Sequence, residues 1–275
     1  MIAVVTDSNC MLPPALADAA NIAVIPIPVL LDEVEFREGV DLDADEFYER
    51  IAAGASVTTS QPSPGEIAGV YAEAIASGAD QIVSIHVGKH LSGTLNSARI
   101  AAGTVGVPVE IVDSGTASFP IGLAALAAAS AASGGATIDQ VIAAANATIV
   151  ATRNAFVLSA LDFVRTEGRV RVTMPSGHVA GIPVVAMYGD ELSVLGDASD
   201  VAQASDLMVD VLAKETLPCR VGIGVGGREA FDFYPALRSR VESLPMVAEV
   251  IEYRCGPTVG AYSGPGVAGM AWAPI

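Results

Sequence analysis

Short apolar runs alternate with segments of helical pattern in the first half of the chain, and this alternation restricts the folds open to it. Ile2 to Val5, Gln81 to Val87 and Val107 to Val112 have the composition of strands. Glu66 to Ser77 and Asn96 to Ala102 have the composition of helices. Apolar strands separated by helices imply parallel pairing with crossover connections. The sequence therefore predicts an α/β domain with a mainly parallel sheet.

Two further elements complete this half. Val24 to Leu31 is predicted to be one strand, and Pro26 and Pro28 favour a sheet edge because proline cannot donate to a strand ladder. Asp43 and Glu46 predict a capping box for the helix that follows them.

The second half has a different pattern. Two of its apolar runs flank a Tyr-Gly-Asp-Glu turn and predict a hairpin, and two others enclose a helical stretch. These features indicate a mixed sheet with helices. We therefore predict two α/β domains, residues 1–150 with the parallel sheet and a carboxylate socket, and residues 151–275 with the mixed sheet. The predicted strands of the second domain are Phe156 to Leu161, Pro183 to Met187, Leu192 to Leu195, Val221 to Val225 and Val247 to Tyr253.

Composition and charge exclude several classes of protein. The 275 residues are 52% hydrophobic and 16% charged, which is typical of a compact globular protein. The net charge of −17 disfavours nucleic acid and anionic membranes as partners. No apolar run is long enough for a membrane span, and the first residues lack a basic signal-peptide region, so we predict a cytoplasmic protein. Three widely separated cysteines predict neither a disulfide framework nor a metal site.

Two hydroxyl-rich runs are the main candidates for a binding site. Thr58 to Pro64 and Leu91 to Thr94 each lead into a predicted helix. The unpaired N–H groups and positive dipole end at a helix start favour a carboxylate or a phosphate. The alternative is that Ser63 and Ser92 only cap their helices.

Polar residues also follow three predicted strands. They are Asp7 and Ser8, the segment His86 to Thr94, and Asp113 with Ser114. Ligands of parallel α/β sheets bind beyond the carboxyl ends of the strands. We therefore expect these residues to converge on one polar edge.

Other chemistries remain as alternatives. The glycines from Gly222 to Gly227 fit a dinucleotide-binding pattern, but they lie inside a predicted strand rather than in the turn after it. Ser92 with His86 or His90 could form a nucleophile and base, although no Gly-x-Ser-x-Gly elbow surrounds the serine. His178 is expected to be a loop residue, since no second ligand stands at metal spacing.

An ordered set of motifs over nearly the whole chain resembles the DegV family. The motifs are Thr6-Asp7-Ser8, Gly39-Val40-Asp41 with Glu46-Phe47-Tyr48, Thr59-Ser60-Gln61-Pro62-Ser63, Ser92-Gly93-Thr94 with Ser97-Ala98, Asp113-Ser114 with Ser118 and Gly122, Gly168-Arg169-Val170, and Gly264-Pro265-Gly266 with Gly269.

This resemblance implies two α/β domains with a long-chain fatty acid held between them. It also implies a non-catalytic, acyl-binding subunit that presents the acid to a separate fatty acid kinase for phospholipid synthesis, with no cofactor. By match to the family motifs, Thr59 and Ser92 of this chain would form hydrogen bonds with the fatty acid carboxylate. The nearby residues would be Ser8, Ser60, Gly93 and Thr94.

The sequence departs from the family pattern at two places. Tyr262 stands where the family commonly has histidine, so a possible charged partner of the carboxylate is replaced by an uncharged donor. Asp197 to Asp200 carries acids where members often have a basic cluster. Arg169 matches the family arginine. It is expected either to contact a partner or phosphate or to form a surface ion pair.

Overall fold

A computed structural model describes residues 1–158, 171–173, 181–188 and 191–275. They form two compact units. The first unit comprises Met1–Leu42 and Ser56–Ala151, and the second comprises Asp43–Ala55 and Thr152–Ile275. The sequence predicted one boundary near residue 150. The structure differs in that Asp43–Ala55, which lies before this boundary, belongs to the second unit.

The first unit contains the first seven strands of the chain. In order they are β1 (Ile2–Asp7), β2 (Ile22–Ile25), β3 (Pro28–Leu31), β4 (Val34–Arg37), β5 (Val57–Thr59), β6 (Gln81–His86) and β7 (Val109–Asp113). Four of them form a fully parallel sheet in the order β2-β1-β6-β7. The predicted parallel sheet is confirmed.

Nine α-helices lie in the described residues. In chain order they are α1 (Pro14–Ala19), α2 (Ala44–Ala52), α3 (Pro64–Ala76), α4 (Thr94–Ala102), α5 (Phe119–Ser133), α6 (Ile138–Ala151), α7 (Val201–Leu212), α8 (Phe233–Val241) and α9 (Pro257–Ser263). Only α2, α7, α8 and α9 belong to the second unit. Asp43 caps α2 by accepting a hydrogen bond from the N–H of Glu46, which is the N-cap half of the predicted capping box. The Glu46 carboxylate pairs with Arg50.

The strands of the parallel sheet are apolar on both faces. Val4, Val5, Ile82 and Val83 are all at most 2% exposed. A strand buried on both sides reads as a continuous apolar run, because helices cover both faces of a parallel sheet. One of these helices, α5, is buried over most of its length.

The predicted strand Val24 to Leu31 is wrong as a single element. It is divided between β2 of the parallel sheet and β3 of a three-stranded sheet with the order β4-β3-β5. Pro26 lies between them and has no N–H with which to continue the β2 ladder. Ile27 N–H bonds the Ser8 hydroxyl, 3.0 Å away, and β3 pairs antiparallel with β5.

The second unit contains a mixed sheet, as predicted. Its strands are β8 (Arg153–Val157), β9 (Arg171–Thr173), β10 (Ile182–Tyr188), β11 (Glu191–Ala198), β12 (Cys219–Val225), β13 (Val247–Arg254) and β14 (Ala268–Pro274), in the order β13-β12-β14-β8-β10-β11-β9. The predicted hairpin is β10 and β11. The strand predicted at Phe156 to Leu161 begins earlier, at Arg153, and Leu161 lies outside the described residues.

The first part of the glycine-rich segment lies in strand β12, and Gly226 and Gly227 follow the strand. A side chain at Gly224 would meet the ring of Tyr253, whose Cζ lies 2.2 Å from the position of a Cβ atom. Glycine is therefore required here for packing between β12 and β13. Gly222 and Gly224 lie within the strand, so the segment does not form the strand-to-helix turn that a dinucleotide-binding motif needs.

We predict that Ser63→Ala lowers the free energy of unfolding by about 1 kcal/mol, because it removes the N-cap of α3. Ser63 Oγ accepts from the N–H of Glu66 at 3.2 Å, and the Glu66 carboxylate accepts from the N–H of Ser63 at 2.7 Å. Urea unfolding measures the effect. Ser77→Ala, an exposed serine after the other end of α3, is the matched control and is expected to change stability by less than about 0.5 kcal/mol.

The same box predicts a pH dependence. Hydrogen bonds from Ser63 hold the pKa of Glu66 below its ordinary 4.5. A lowered pKa stabilises the fold above pH 4.5, and the contribution is lost as the pH falls through the lowered pKa. The difference between wild type and Ser63→Ala should therefore shrink in acid, and a difference that grows there would contradict this assignment.

Candidate functional site

The polar residues predicted to converge lie together at one edge of the first unit. Because β1, β6 and β7 are parallel neighbours, the segments that follow them leave the sheet on the same side. We call this set the polar edge. It consists of Asp7, Ser8, the segment His86 to Thr94, Asp113 and Ser114.

Backbone hydrogen bonds fix the loop after β6. The N–H of Gly88 donates to the carbonyl of Thr116 at 2.8 Å, and the carbonyl of Gly88 accepts from Leu91 at 2.8 Å and from Ser92 at 3.1 Å. A Cβ atom at Gly88 would lie 3.0 Å from backbone atoms of Gly115 and Thr116. This close approach connects the loop after β6 with the loop after β7.

The two hydroxyl-rich runs meet at Gly93. A Cβ atom there would lie 3.0 Å from both Cδ and Oε1 of Gln61. Gln61 follows β5, which pairs with β3 through Thr59 and Val29. The structure thus brings the segments that carry Thr59 and Ser92 into contact, although they are far apart in the sequence.

Within the second run, Ser92 and Thr94 bond one another. Their hydroxyl oxygens are 2.9 Å apart, and Ser92 Oγ also accepts from the N–H of Thr94 at 3.2 Å. Thr94 is buried, Ser92 is half-buried and Gly93 is exposed. The N-cap of α4 is Gly93, so the alternative that Ser92 is the capping residue is wrong by one position. For Ser63 the capping role is confirmed.

Three further predicted site residues lie in the same unit. Ser8 is half-buried, and its hydroxyl accepts from the N–H of Ile27 and donates to the buried carboxylate of Glu38. Thr59 is half-buried at the end of β5. Ser60 is exposed, and its N–H donates to the carbonyl of Pro28 at 3.1 Å.

A buried chain of hydrogen bonds lies behind the polar edge. Tyr71 donates to Ser84 Oγ at 2.9 Å, Ser84 Oγ is 2.8 Å from His86 Nε2, and His86 Nδ1 is 3.0 Å from Asp7 Oδ2. All four side chains are 0% exposed. The sequence named His86 as a candidate base for Ser92, but both of its ring nitrogens are engaged within this chain.

Burial also sets the chemistry of two other groups. Desolvation raises the pKa of Tyr71 to about 12, so its hydroxyl stays protonated and donates. Burial raises the pKa of the Cys10 thiol, and the nearby carboxylates of Asp7 and Glu38 raise it further. Cys10 is therefore a buried thiol rather than a nucleophile, and Cys219 and Cys255 are buried as well, as expected.

The second unit carries Tyr262, which is half-buried in α9. This helix packs closely on α2, since a Cβ atom at Gly260 would lie 2.5 Å from the Tyr48 hydroxyl oxygen. The chain leaves α9 through Gly264, whose φ of 77° favours glycine. The Tyr48 hydroxyl donates to the carbonyl of Cys255 at 3.0 Å.

The remaining predictions concern cationic residues and metals. Arg169 and His178 lie outside the described residues. Asp200 stands in the acidic run Asp197 to Asp200 and caps α7 by accepting from the N–H of Gln203 at 2.9 Å, which gives that acid a local structural role. In the described ranges, no cluster of three or more His, Cys, Asp or Glu side chains is arranged to hold a metal. Across the same ranges no helix has both the length and the apolar character of a membrane span.

Sequence reasoning missed Glu38 and the buried chain. Glu38 stands outside every motif, and Tyr71 and Ser84 lie within ordinary helix and strand patterns. One feature of the sequence could have indicated part of this chain, namely the alternation of side chains between the two faces of β6. Ser84 and His86 are two residues apart in a strand, so both side chains point to the same face.

Comparison with known proteins places this architecture. The model of a family described as "Uncharacterised protein, DegV family" matches residues 1–274. A DegV domain-containing protein of Streptomyces coelicolor is 31% identical over 98% of this chain and 97% of its own length. A DegV domain-containing protein of Deinococcus radiodurans is 31% identical over 100% of this chain and 99% of its own.

Two solved structures are similar over the whole chain. A DegV family protein from Thermus thermophilus, described for its fatty acid binding, superposes with a TM-score of 0.89 at 28% identity and covers 100% of this chain and 99% of its own. DegV of Bacillus subtilis, described as a fatty acid binding protein, has a TM-score of 0.85 at 25% identity, with coverages of 100% and 99%. The match of the family model over residues 1–274 and the relatives that are 31% identical over nearly the whole chain establish that the chain belongs to the DegV family.

Proposed function

We propose that this protein binds a long-chain fatty acid, with the carboxylate held by Thr59 and Ser92 and the acyl chain buried. The observation that carries the proposal is the contact between Gln61 and Gly93, which joins the two hydroxyl-rich runs. Gly93 is part of that contact, Ser60 and Thr94 are its neighbours in the sequence, and Ser8 lies on the polar edge. The two similar structures described as fatty-acid-binding support the same ligand.

The arrangement suits a carboxylate. A carboxylate that leaves water needs hydrogen-bond donors, and hydroxyls supply them at short range. The N-terminus of α4, which begins at Thr94, adds the positive end of a helix dipole, while the N–H of Thr94 itself donates to Ser92 Oγ. In our proposal these groups orient the head of the ligand.

The acyl chain would supply most of the affinity. Burying about ten methylenes at about 0.8 kcal/mol each contributes roughly 8 kcal/mol, which corresponds to about micromolar affinity before ordering costs. The chain composition, 52% hydrophobic with only 5% aromatic residues, provides aliphatic side chains for such a lining.

We further propose that the protein is a carrier without catalytic turnover, which presents the acid to a separate fatty acid kinase. Arg169 is the residue we propose for contact with that partner or with a phosphate. Tyr262 in place of histidine would offer the carboxylate a neutral donor only. Binding of another small anion and ester hydrolysis at Ser92 are the competing functions, and the experiments below separate them.

The double variant Thr59→Val with Ser92→Ala is expected to weaken binding of palmitic acid by about 100-fold, since each hydrogen bond to a charged group contributes about 1.5–3 kcal/mol. Isothermal titration calorimetry measures the dissociation constant. The matched control is Thr58→Val with Ser130→Ala, which alters two exposed hydroxyls, one of them on the opposite face of β5. Equal loss in both double variants, or no loss in either, would exclude the proposed socket.

A fluorophosphonate probe is expected not to label the wild-type protein. Ser92 Oγ bonds Thr94, and His86 is committed to Ser84 and Asp7, so that imidazole cannot activate the serine. Intact-protein mass spectrometry after incubation with the probe reads the result. Labelling that disappears in Ser92→Ala would establish the hydrolase in place of the carrier.

A further inference from the structure

Tyr71, Ser84, His86 and Asp7 form a continuous buried chain of hydrogen bonds. Tyr71 donates to Ser84, and burial, which raises the pKa of its phenol, keeps the proton on the oxygen. Ser84 Oγ lies 2.8 Å from His86 Nε2. At the other end of the ring, the Asp7 carboxylate oxygen accepts a hydrogen bond from His86 Nδ1, 3.0 Å away.

Asp7 ends this series of hydrogen bonds, and it also links β1 to the segment that follows β6. Its Oδ2 accepts from the N–H of Val87 at 2.9 Å, beyond the last β1–β6 pair, Thr6 with Ile85. One carboxylate oxygen thus receives two donors from consecutive residues of β6 and its loop. The other oxygen, Oδ1, is buried and has no hydrogen-bond partner within the described part of the chain.

The residues on either side of this bond lead to the proposed carboxylate socket. Asp7 is followed directly by Ser8. Val87 is followed by Gly88, whose carbonyl accepts from the N–H of Ser92 at 3.1 Å. The path from the Asp7 carboxylate to the Ser92 backbone therefore contains only two hydrogen bonds and the two residues Val87 and Gly88.

We propose that Asp7 is a positioning residue for the ligand carboxylate, acting through Val87 and His86 to fix the loop that carries Ser92. This inference rests on the proposed fatty acid binding. Asp7 is 0% exposed, so it would act from behind the socket and not by contact with the ligand. Its effect is therefore on the head group of the ligand and not on the acyl chain. Tyr71, at the far end of these hydrogen bonds, contacts Ser84 and holds neither loop.

The test compares palmitic acid with hexadecanol, which has the same chain length and no carboxylate. Asp7→Ala is expected to weaken palmitic acid binding by about tenfold or more while hexadecanol changes by less than about twofold. Asp7→Asn keeps a carbonyl oxygen for both donors, with its NH₂ at the unpartnered Oδ1 position, and should remain within about threefold of wild type for both ligands. Tyr71→Phe is the matched control within the same chain and should leave both affinities unchanged.

Two outcomes would overturn the inference: unchanged palmitic acid binding in Asp7→Ala, or an equal loss of both ligands, which would indicate a general structural role. If Asp7→Ala does not fold, ¹⁵N NMR of the wild-type His86 ring decides. A proton on Nδ1 supports the inference, and a proton on Nε2 with bare Nδ1 contradicts it. A wild-type protein that binds no palmitic acid would overturn the proposed function itself.

Discussion

Parallel pairing of β1, β6 and β7 is the constraint on which the candidate site depends. Because neighbouring parallel strands end on the same side, Ser8, the loop to Thr94 and Asp113 reach one edge without any contact between them in the sequence. The fourth strand of this parallel sheet, β2, ends at Ile25, and after Pro26 the chain enters β3 of the three-stranded sheet. Because β3 pairs with β5, this change of sheet places Thr59 in the same unit as Ser92.

The polar edge depends on buried groups that satisfy one another. A buried imidazole or carboxylate without partners would cost several kcal/mol, whereas in this unit both ring nitrogens of His86 and one oxygen of Asp7 are bonded. Glu38 similarly accepts a hydrogen bond from the Ser8 hydroxyl. The hydroxyl groups nearer solvent are thus supported from behind by a bonded interior, which is how a rigid scaffold fixes a binding loop.

Much of this arrangement could be predicted from the sequence, and the exceptions have physical reasons. The strands and helices of the first unit follow from periodicity, and the convergence of Ser8 with Ser92 follows from the parallel sheet. The break at Pro26 was not predicted. Apolar residues continue on both sides of this proline, and its missing N–H group is the main local sign that the strand ends there. The central strand β14 was not predicted, since its alternation is obscured by alanine and glycine. The contact of Gln61 with Gly93 depends on tertiary packing that has no local signal. Whether Thr59, Ser92 and Tyr262 bind a ligand stays a prediction.

Native mass spectrometry of the protein purified without added ligand, followed by solvent extraction, would show whether the protein carries a fatty acid. We expect one fatty acid per chain, released on extraction and identified by its mass. A protein that is empty when purified and that also fails to take up added fatty acids would contradict it.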